Sequence, residues 1–250
     1  MTNFAYKLLP FRAVELWQAF MGGLSHAIAL ERFGPSLTRR ILWCVQTQER
    51  VVALSFDDGP HPRHTPEILD LLDEYQIPAT FFLIGRHVRQ HPEVARRIAG
   101  GRHEIGNHTF NHRMLPFLRD EMIVHEIRRT TEIIGEVTGR TPRFLRPPMG
   151  LFSKRVVDLV EQSGCEVVVG DVYPRDPQRP GREKIYHRVI RRVRPGSIII
   201  LHDGGNGRIV DRSQTVWAAR QIVQHLRQEN YRCVTISELA NLEGKRKREG

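Results

Sequence analysis

From residue 51 onward, short runs of β-branched and aromatic residues alternate with longer amphipathic stretches. Seven strands are predicted, at 51–56, 79–84, 103–107, 144–146, 166–170, 197–202 and 233–236. Helices are predicted between them at 65–75, 92–99, 118–138, 153–163, 182–193 and 211–229. Ile198-Ile199-Ile200-Leu201 is apolar at every position, as a parallel sheet covered on both faces requires. Alternation of this kind demands an α/β body, either wound open or closed as a barrel. No internal repeat or low-complexity linker interrupts residues 51–242, which read as one domain.

The polar residues select between the two α/β forms. They gather just after the predicted strands: Asp57 and Asp58, His108 and His112, Arg146, Asp171 and Asp176, His202 and Asp203. A barrel collects reactive side chains at the C-terminal ends of its strands in this way. An open dinucleotide-binding sheet would carry a glycine-rich loop after its first strand, where this chain has Phe-Asp-Asp-Gly-Pro.

Asp57 and Asp58 are neighbours in an extended segment, so alternation sends them to opposite sides and gives them different tasks. Taken alone, the pair is equally at home in a turn or helix cap. His108 and His112 stand four residues apart, and a helical turn would bring both rings to one metal ion. Two histidines and a carboxylate leave coordination positions open for water and substrate. In a chain with 12 histidines that spacing also arises by chance, and its place after a strand is what favours a site. His202 is either a satisfied core histidine or a general acid, and Arg146 either fixes a carboxylate or forms a rim ion pair. The set suits metal-assisted hydrolysis of an amide or ester. No G-x-S-x-G elbow is present, which argues against a serine nucleophile.

Ser55-Phe56-Asp57-Asp58-Gly59-Pro60, His108-Thr109-Phe110-Asn111-His112, Arg146-Pro147-Pro148-Met149-Gly150 and Leu201-His202-Asp203 occur in that order. The set resembles the successive motifs of the polysaccharide deacetylases, the NodB-homology or carbohydrate esterase family 4 group, over about three-quarters of the chain. The resemblance implies a distorted (β/α) barrel of seven strands and a divalent metal, commonly zinc, with cobalt, nickel or manganese as alternatives. By motif position Asp58, His108 and His112 would be the metal ligands. Asp57 would be the base acting on metal-bound water, held by Arg146. His202 would be the acid for the leaving amine, with Asp176 behind it, and the Met149 N–H would stabilise the oxyanion. The implied substrate is an acetylated glycan containing N-acetylglucosamine, peptidoglycan or chitin-like, with acetate released.

Three positions depart from the family: 149, 173 and 177. Its fourth motif, commonly D-x-x-D-W, reads Tyr173-Pro174-Arg175-Asp176-Pro177, and Met149 stands where an aromatic residue is frequent. Fewer aromatic walls stack less well on sugar faces, so a small N-acyl or O-acetyl compound is the alternative substrate. His61 and His64 read as rim residues, and His103 as a strand anchor.

A composition of 40% hydrophobic and 26% charged residues excludes a polytopic membrane protein and a fully disordered chain. The net charge of +10 points to an anionic partner. It is spread thinly, however: +3 over residues 1–50, +5 over 51–242 and +2 over the tail 243–250. Nucleic acid is not expected, and a non-catalytic binder of an anionic polymer is the remote alternative. Residues 1–50 read as an N-terminal helical extension, with 4–48 available for peripheral contact with a membrane surface. Residues 16–30 are too short and polar for a confident span and only partly resemble a signal peptide. The implied substrate favours the cell envelope or another extracytoplasmic site. Residues 243–250 read as a charged flexible tail. Cys44, Cys165 and Cys233 form no paired motif, and Cys165 and Cys233, each at the edge of an apolar run, read as small buried hydrophobes.

Overall fold

The structure, a computed structural model, describes residues 36–206 and 210–249, with side chains through residue 242. Eight parallel strands form one curled sheet: β1 (Ile41–Leu42), β2 (Val51–Gly59), β3 (Thr80–Leu83), β4 (Glu104–Asn107), β5 (Phe144–Leu145), β6 (Glu166–Val168), β7 (Ile198–His202) and β8 (Arg232–Val234). The helices are α1 (His64–Tyr75), α2 (Gly85–Gln90), α3 (Pro92–Gly100), α4 (Asp120–Thr138), α5 (Lys154–Gln162), α6 (Arg182–Ile190), α7 (Ser213–Gln228) and α8 (Ile236–Glu249).

The hydrogen-bonded path runs β1-β6-β5-β4-β3-β2-β7, with β8 pairing the first residues of β2. A single parallel bridge, Val172 to Ile199, joins the chain beyond β6 to β7 and closes the ring. The result is the distorted (β/α) barrel of seven strands expected from the sequence, with β8 as an eighth strand off the path. Each of the seven predicted strands is present. The additional elements are β1, α2 and α8, which are too short or too polar to stand out in the sequence.

Every residue of β2 is buried, and its two faces serve different layers. Val52, Leu54 and Phe56 face outward into a core shared with Ile68 and Leu72 of α1 and Ile222 and Leu226 of α7. Val51 and Ala53 face inward and meet Phe82, Phe144, Val168 and Ile198, and Ile236 and Leu239 of α8 stop this interior at its lower end. The same inward face continues upward through Ser55 to Asp57, so the barrel axis passes from hydrocarbon to carboxylate within seven residues. Helix ends follow local chemistry. The Ser153 hydroxyl accepts the Val156 N–H at 3.3 Å to cap α5, and Gly139 adopts φ 67° to end α4.

Residues 4–35 of the expected helical extension lie outside the described residues. Residues 41–45 do not continue a helix: β1 pairs with β6, and Ile41, Trp43 and Val45 are buried in the barrel cores. Arg40 pins this stretch to α5 through Asp158 at 2.8 Å and Glu161 at 2.6 Å. At the other end, the segment expected as a flexible tail continues α8 to Glu249, as a run rich in Glu, Lys and Arg permits. Among the described residues no helix is long and apolar enough to cross a membrane.

Candidate active site

Asp57 and Asp58 end β2, and both line one pocket at the mouth of the barrel. Simple alternation would separate them. The pairing of β2 with β3 slips between Asp57 and Gly59, and Asp58 takes φ 73°, so its carboxylate turns into the same pocket as that of Asp57. The two acids then meet different partners. Nη1 of Arg146 donates to Oδ1 of Asp57 at 2.6 Å and to the Ser55 hydroxyl at 2.8 Å. The guanidinium lies 4.1 Å over the Phe82 ring, and burial lowers its pKa against the pull of Asp57. Asp58 instead faces His112 Nε2 at 3.1 Å and His108 Nε2 at 3.4 Å.

The two histidines do not share a helical turn. Residues 108–112 form a loop in which Thr109 and His112 adopt φ 64° and 56°. Side chains tie this loop down. The Asn107 side-chain Oδ1 accepts the Thr109 N–H at 2.8 Å, and the Thr109 hydroxyl accepts the His112 N–H at 3.1 Å. Glu126, wholly buried on α4, accepts the Asn111 backbone and side-chain N–H groups at 2.6 and 2.7 Å. The rings converge to a centroid separation of 4.9 Å.

Asp58, His108 and His112 each turn one donor atom to a common point, all within 4.8 Å of one another. Nδ1 of His108 donates to the Arg146 carbonyl at 2.7 Å, which leaves Nε2 with a lone pair aimed at the carboxylate. Oδ1 of Asp58 is buried and has no hydrogen-bond donor. Lone pairs crowded together in this way fit a divalent cation and repel one another without one.

On the opposite wall, Nδ1 of His202 donates to Oδ1 of Asp176 at 3.0 Å, and the His202 backbone N–H donates to Oδ2 at 2.8 Å. The Thr215 hydroxyl also donates to Oδ2, at 2.9 Å. Burial alone would lower the His202 pKa, but Asp176, with help from Asp58 and Asp57, pushes it up to about 9. Met149 lines the pocket at φ 59°. The amides of Gly150 and Leu151 bond back to Pro147 and Pro148, whereas no such bond engages the Met149 N–H.

All eight residues singled out in the sequence for this site thus fall at one end of the barrel. Asp176 stands behind His202, and the other seven line the pocket itself. Tyr173, Pro177 and Gln178 form part of its wall, with the Tyr173 ring 5.9 Å from that of His202. Other candidates lie elsewhere. His61 stacks on His64 at 4.8 Å, and His64 pairs with Glu67 at 2.8 Å. His103 accepts the Ala79 N–H at 3.2 Å, and Asp171 accepts the Ile198 N–H at 2.8 Å.

Sequence reasoning missed a supporting layer. Nδ1 of His87 on α2 donates to the Asp58 carbonyl at 2.9 Å. A Cβ on Gly204 would collide with that same carbonyl. The Thr65 hydroxyl donates to Asp203, which is wholly buried and pushed up to about 7 by desolvation. Glu126 did carry a signal, as an acid on the apolar Ile123–Ile127 face of α4. His87 carried none, because only the folded chain brings α2 beneath β2.

A family model described as polysaccharide deacetylase matches residues 45–168. The chain is 39% identical over 204 residues to the peptidoglycan-N-acetylglucosamine deacetylase of Bacillus cereus, spanning 81% of this chain and 93% of that protein. Its fold is similar to a solved peptidoglycan N-acetylglucosamine deacetylase in complex with a naphthalenyl N-oxidanyl-benzamide, with a TM-score of 0.76 and 29% identity over 84% of this chain and 94% of the other. It is also similar, with a TM-score of 0.73 and 26% identity, to a carbohydrate esterase family 4 pseudoenzyme from Bacillus anthracis, over 80% of this chain and 68% of the other.

Proposed function

The chain belongs to the polysaccharide deacetylase family, and from that premise we propose that it hydrolyses the acetamide of N-acetylglucosamine units in a glycan polymer, foremost peptidoglycan. A fold shared with a pseudoenzyme does not itself carry an activity. The observation that carries this reading is the convergence on one pocket of the Asp57–Arg146 pair, the His202–Asp176 pair and the Asp58, His108 and His112 donor set.

Asp58, His108 and His112 would hold a divalent ion, whose chemistry there would be Lewis acidity. Asp57 removes a proton from the attacking water, while Arg146 and Ser55 fix the orientation of the carboxylate. The Met149 N–H donates to the oxygen on which negative charge develops. His202, protonated at neutral pH through Asp176, gives its proton to the departing nitrogen as the C–N bond breaks. Acetate and the free glucosamine amine are the products.

The test is acetate release from peptidoglycan and from N-acetylglucosamine oligomers by purified protein supplied with zinc. Release no greater than that of an Asp57→Asn variant, across both substrates and several divalent metals, overturns the reading. The wall formed by Tyr173 and Pro177 favours one second reading, a small N-acyl or O-acetyl substrate. Turnover confined to small compounds in the same assay selects it. We place the enzyme's work outside the cytoplasm, where such polymers lie, and cell fractionation tests that placement.

A further inference from the structure

Exposed large apolar side chains are few among the described residues: Met114, Phe117, Met122 and Met149. One of the four lies in the pocket, and two follow a pocket residue closely in the chain. Met149 lines the pocket, and Met114 and Phe117 follow within five residues of the pocket histidine His112. The 113–119 segment is a fixed ridge. Leu115 is fully buried and packs with Phe152 and Val156, just beyond the pocket residues Met149 and Gly150. Arg155 donates to the carbonyls of Pro116 and Leu118, both at 3.0 Å, and pairs with Asp120. Burial of Leu115 thus holds Met114 and Phe117 in water on either side of it, on a rigid turn.

Exposed arginines stand at both ends of this ridge. Arg113 comes no nearer to an acid than 3.9 Å from Glu126, whose oxygens are already taken by Asn111. Arg119 precedes α4 and is exposed. An apolar platform flanked by guanidinium groups fits a chain of sugar rings bearing carboxylates: C–H faces lie on Phe117 and Met114, and the arginines take the carboxylates by paired hydrogen bonds.

We propose that residues 113–119 form a subsite that holds the glycan next to the reacting sugar and favours a carboxylate-bearing polymer, peptidoglycan with its stem-peptide carboxylates, over neutral N-acetylglucosamine chains. The proposal rests on the deacetylase reading above and narrows its substrate. A glycan is favoured over a lipid surface because the segment leads directly out of the pocket residue His112 and is flanked by arginines suited to discrete carboxylates.

Binding and turnover are measured together. Wild type and the R113Q/R119Q and F117A variants are sedimented with purified peptidoglycan sacculi and with chitin, and kcat/KM is measured on soluble peptidoglycan strands and on chitohexaose. The expected result is a loss of roughly tenfold for R113Q/R119Q in sacculus binding and in kcat/KM on peptidoglycan, carried by KM, against no more than about twofold on the neutral glycans. F117A is expected to weaken both glycans. Equal losses on the charged and neutral glycans, or unchanged sacculus binding, overturn the proposal. So does Phe117-dependent partition onto phosphatidylglycerol vesicles with sacculus binding untouched. If wild type releases no acetate from either glycan but the arginine variant still loses sacculus binding, the deacetylase reading fails while the carboxylate-selective ridge stands.

Discussion

Nη1 of Arg146 lies 2.6 Å from Oδ1 of Asp57, and both side chains are almost wholly withdrawn from water. The pair comes from strands on different sides of the mouth, β5 and β2, so each residue positions the other across the pocket. A buried pair of this kind gives little net stability when complete but leaves a costly orphan when half is removed.

Asp57→Asn should therefore do two separable things. Acetate release falls by at least about a hundredfold, the contribution typical of a general base. Stability falls by about 3 kcal/mol, because the Arg146 cation is left buried without an anion. Single-turnover assays and urea denaturation measure the two effects, and an unchanged rate at saturating metal contradicts the assignment of Asp57 as base.

The His202 pair fixes the alkaline side of the pH profile. With a native pKa near 9, His202 carries the proton it must donate below that value, and activity declines as pH rises through it. In Asp176→Asn the largest raising influence is gone and burial pulls the imidazole down, so the alkaline limb of kcat moves toward acid pH by at least about one unit. The raised pKa also contributes to stability. That contribution is fully present below the unfolded value of about 6.5 and is lost as pH rises through about 9. An alkaline limb unmoved in the variant would remove His202 from the proton transfer.

Removal of divalent metal is expected to abolish turnover and lower the melting temperature, with both restored by zinc. Asp58→Asn and His108→Ala should each bind less than a stoichiometric ion by elemental analysis. Full metal content in either variant contradicts the ligand set.

Asp203 provides a stability prediction of the opposite sign to an ordinary ion-paired acid. Burial pushes its carboxyl up to about 7, so the folded chain holds a proton that the unfolded chain releases near 4. The resulting stability is complete below about pH 4 and is lost as pH rises through about 7. In metal-free protein, calorimetric melting temperatures between pH 5 and 8 should fall for wild type and stay flatter for Asp203→Asn. Parallel curves would contradict a buried, proton-holding Asp203.

Gly204→Ala should be folded poorly or inactive, because its Cβ meets the Asp58 carbonyl that His87 also grips. The backbone there cannot yield without moving Asp58. Full activity and an unshifted melting curve would show the contact to be slack.

The strands and the motif residues were legible because they depend on local pattern. Val51–Phe56 is apolar apart from Ser55 and runs into Asp57 and Asp58, and Ile198–Leu201 likewise runs into His202. What escaped the sequence depends on backbone detours. Neither the φ of 73° at Asp58 nor the looped path of residues 108–112 can be read from residue spacing. Both overturn the simple geometry of strand and helix while delivering the side chains to the expected place. The contribution of residues 41–45 escaped for another reason: two paired residues give no periodicity, and only β6 makes them a strand.

The ring is fastened between β6 and β7 by the Val172–Ile199 bridge and the Asp171 side chain rather than by a full ladder, and the stretch just past them carries Tyr173, Asp176 and Pro177. Asp176 is secured independently, by its bonds to His202 and Thr215. Its neighbours are not bound into a ladder, so they can mutate without disturbing register anywhere else. What this barrel accepts can thus change at its seam without moving its chemical centre.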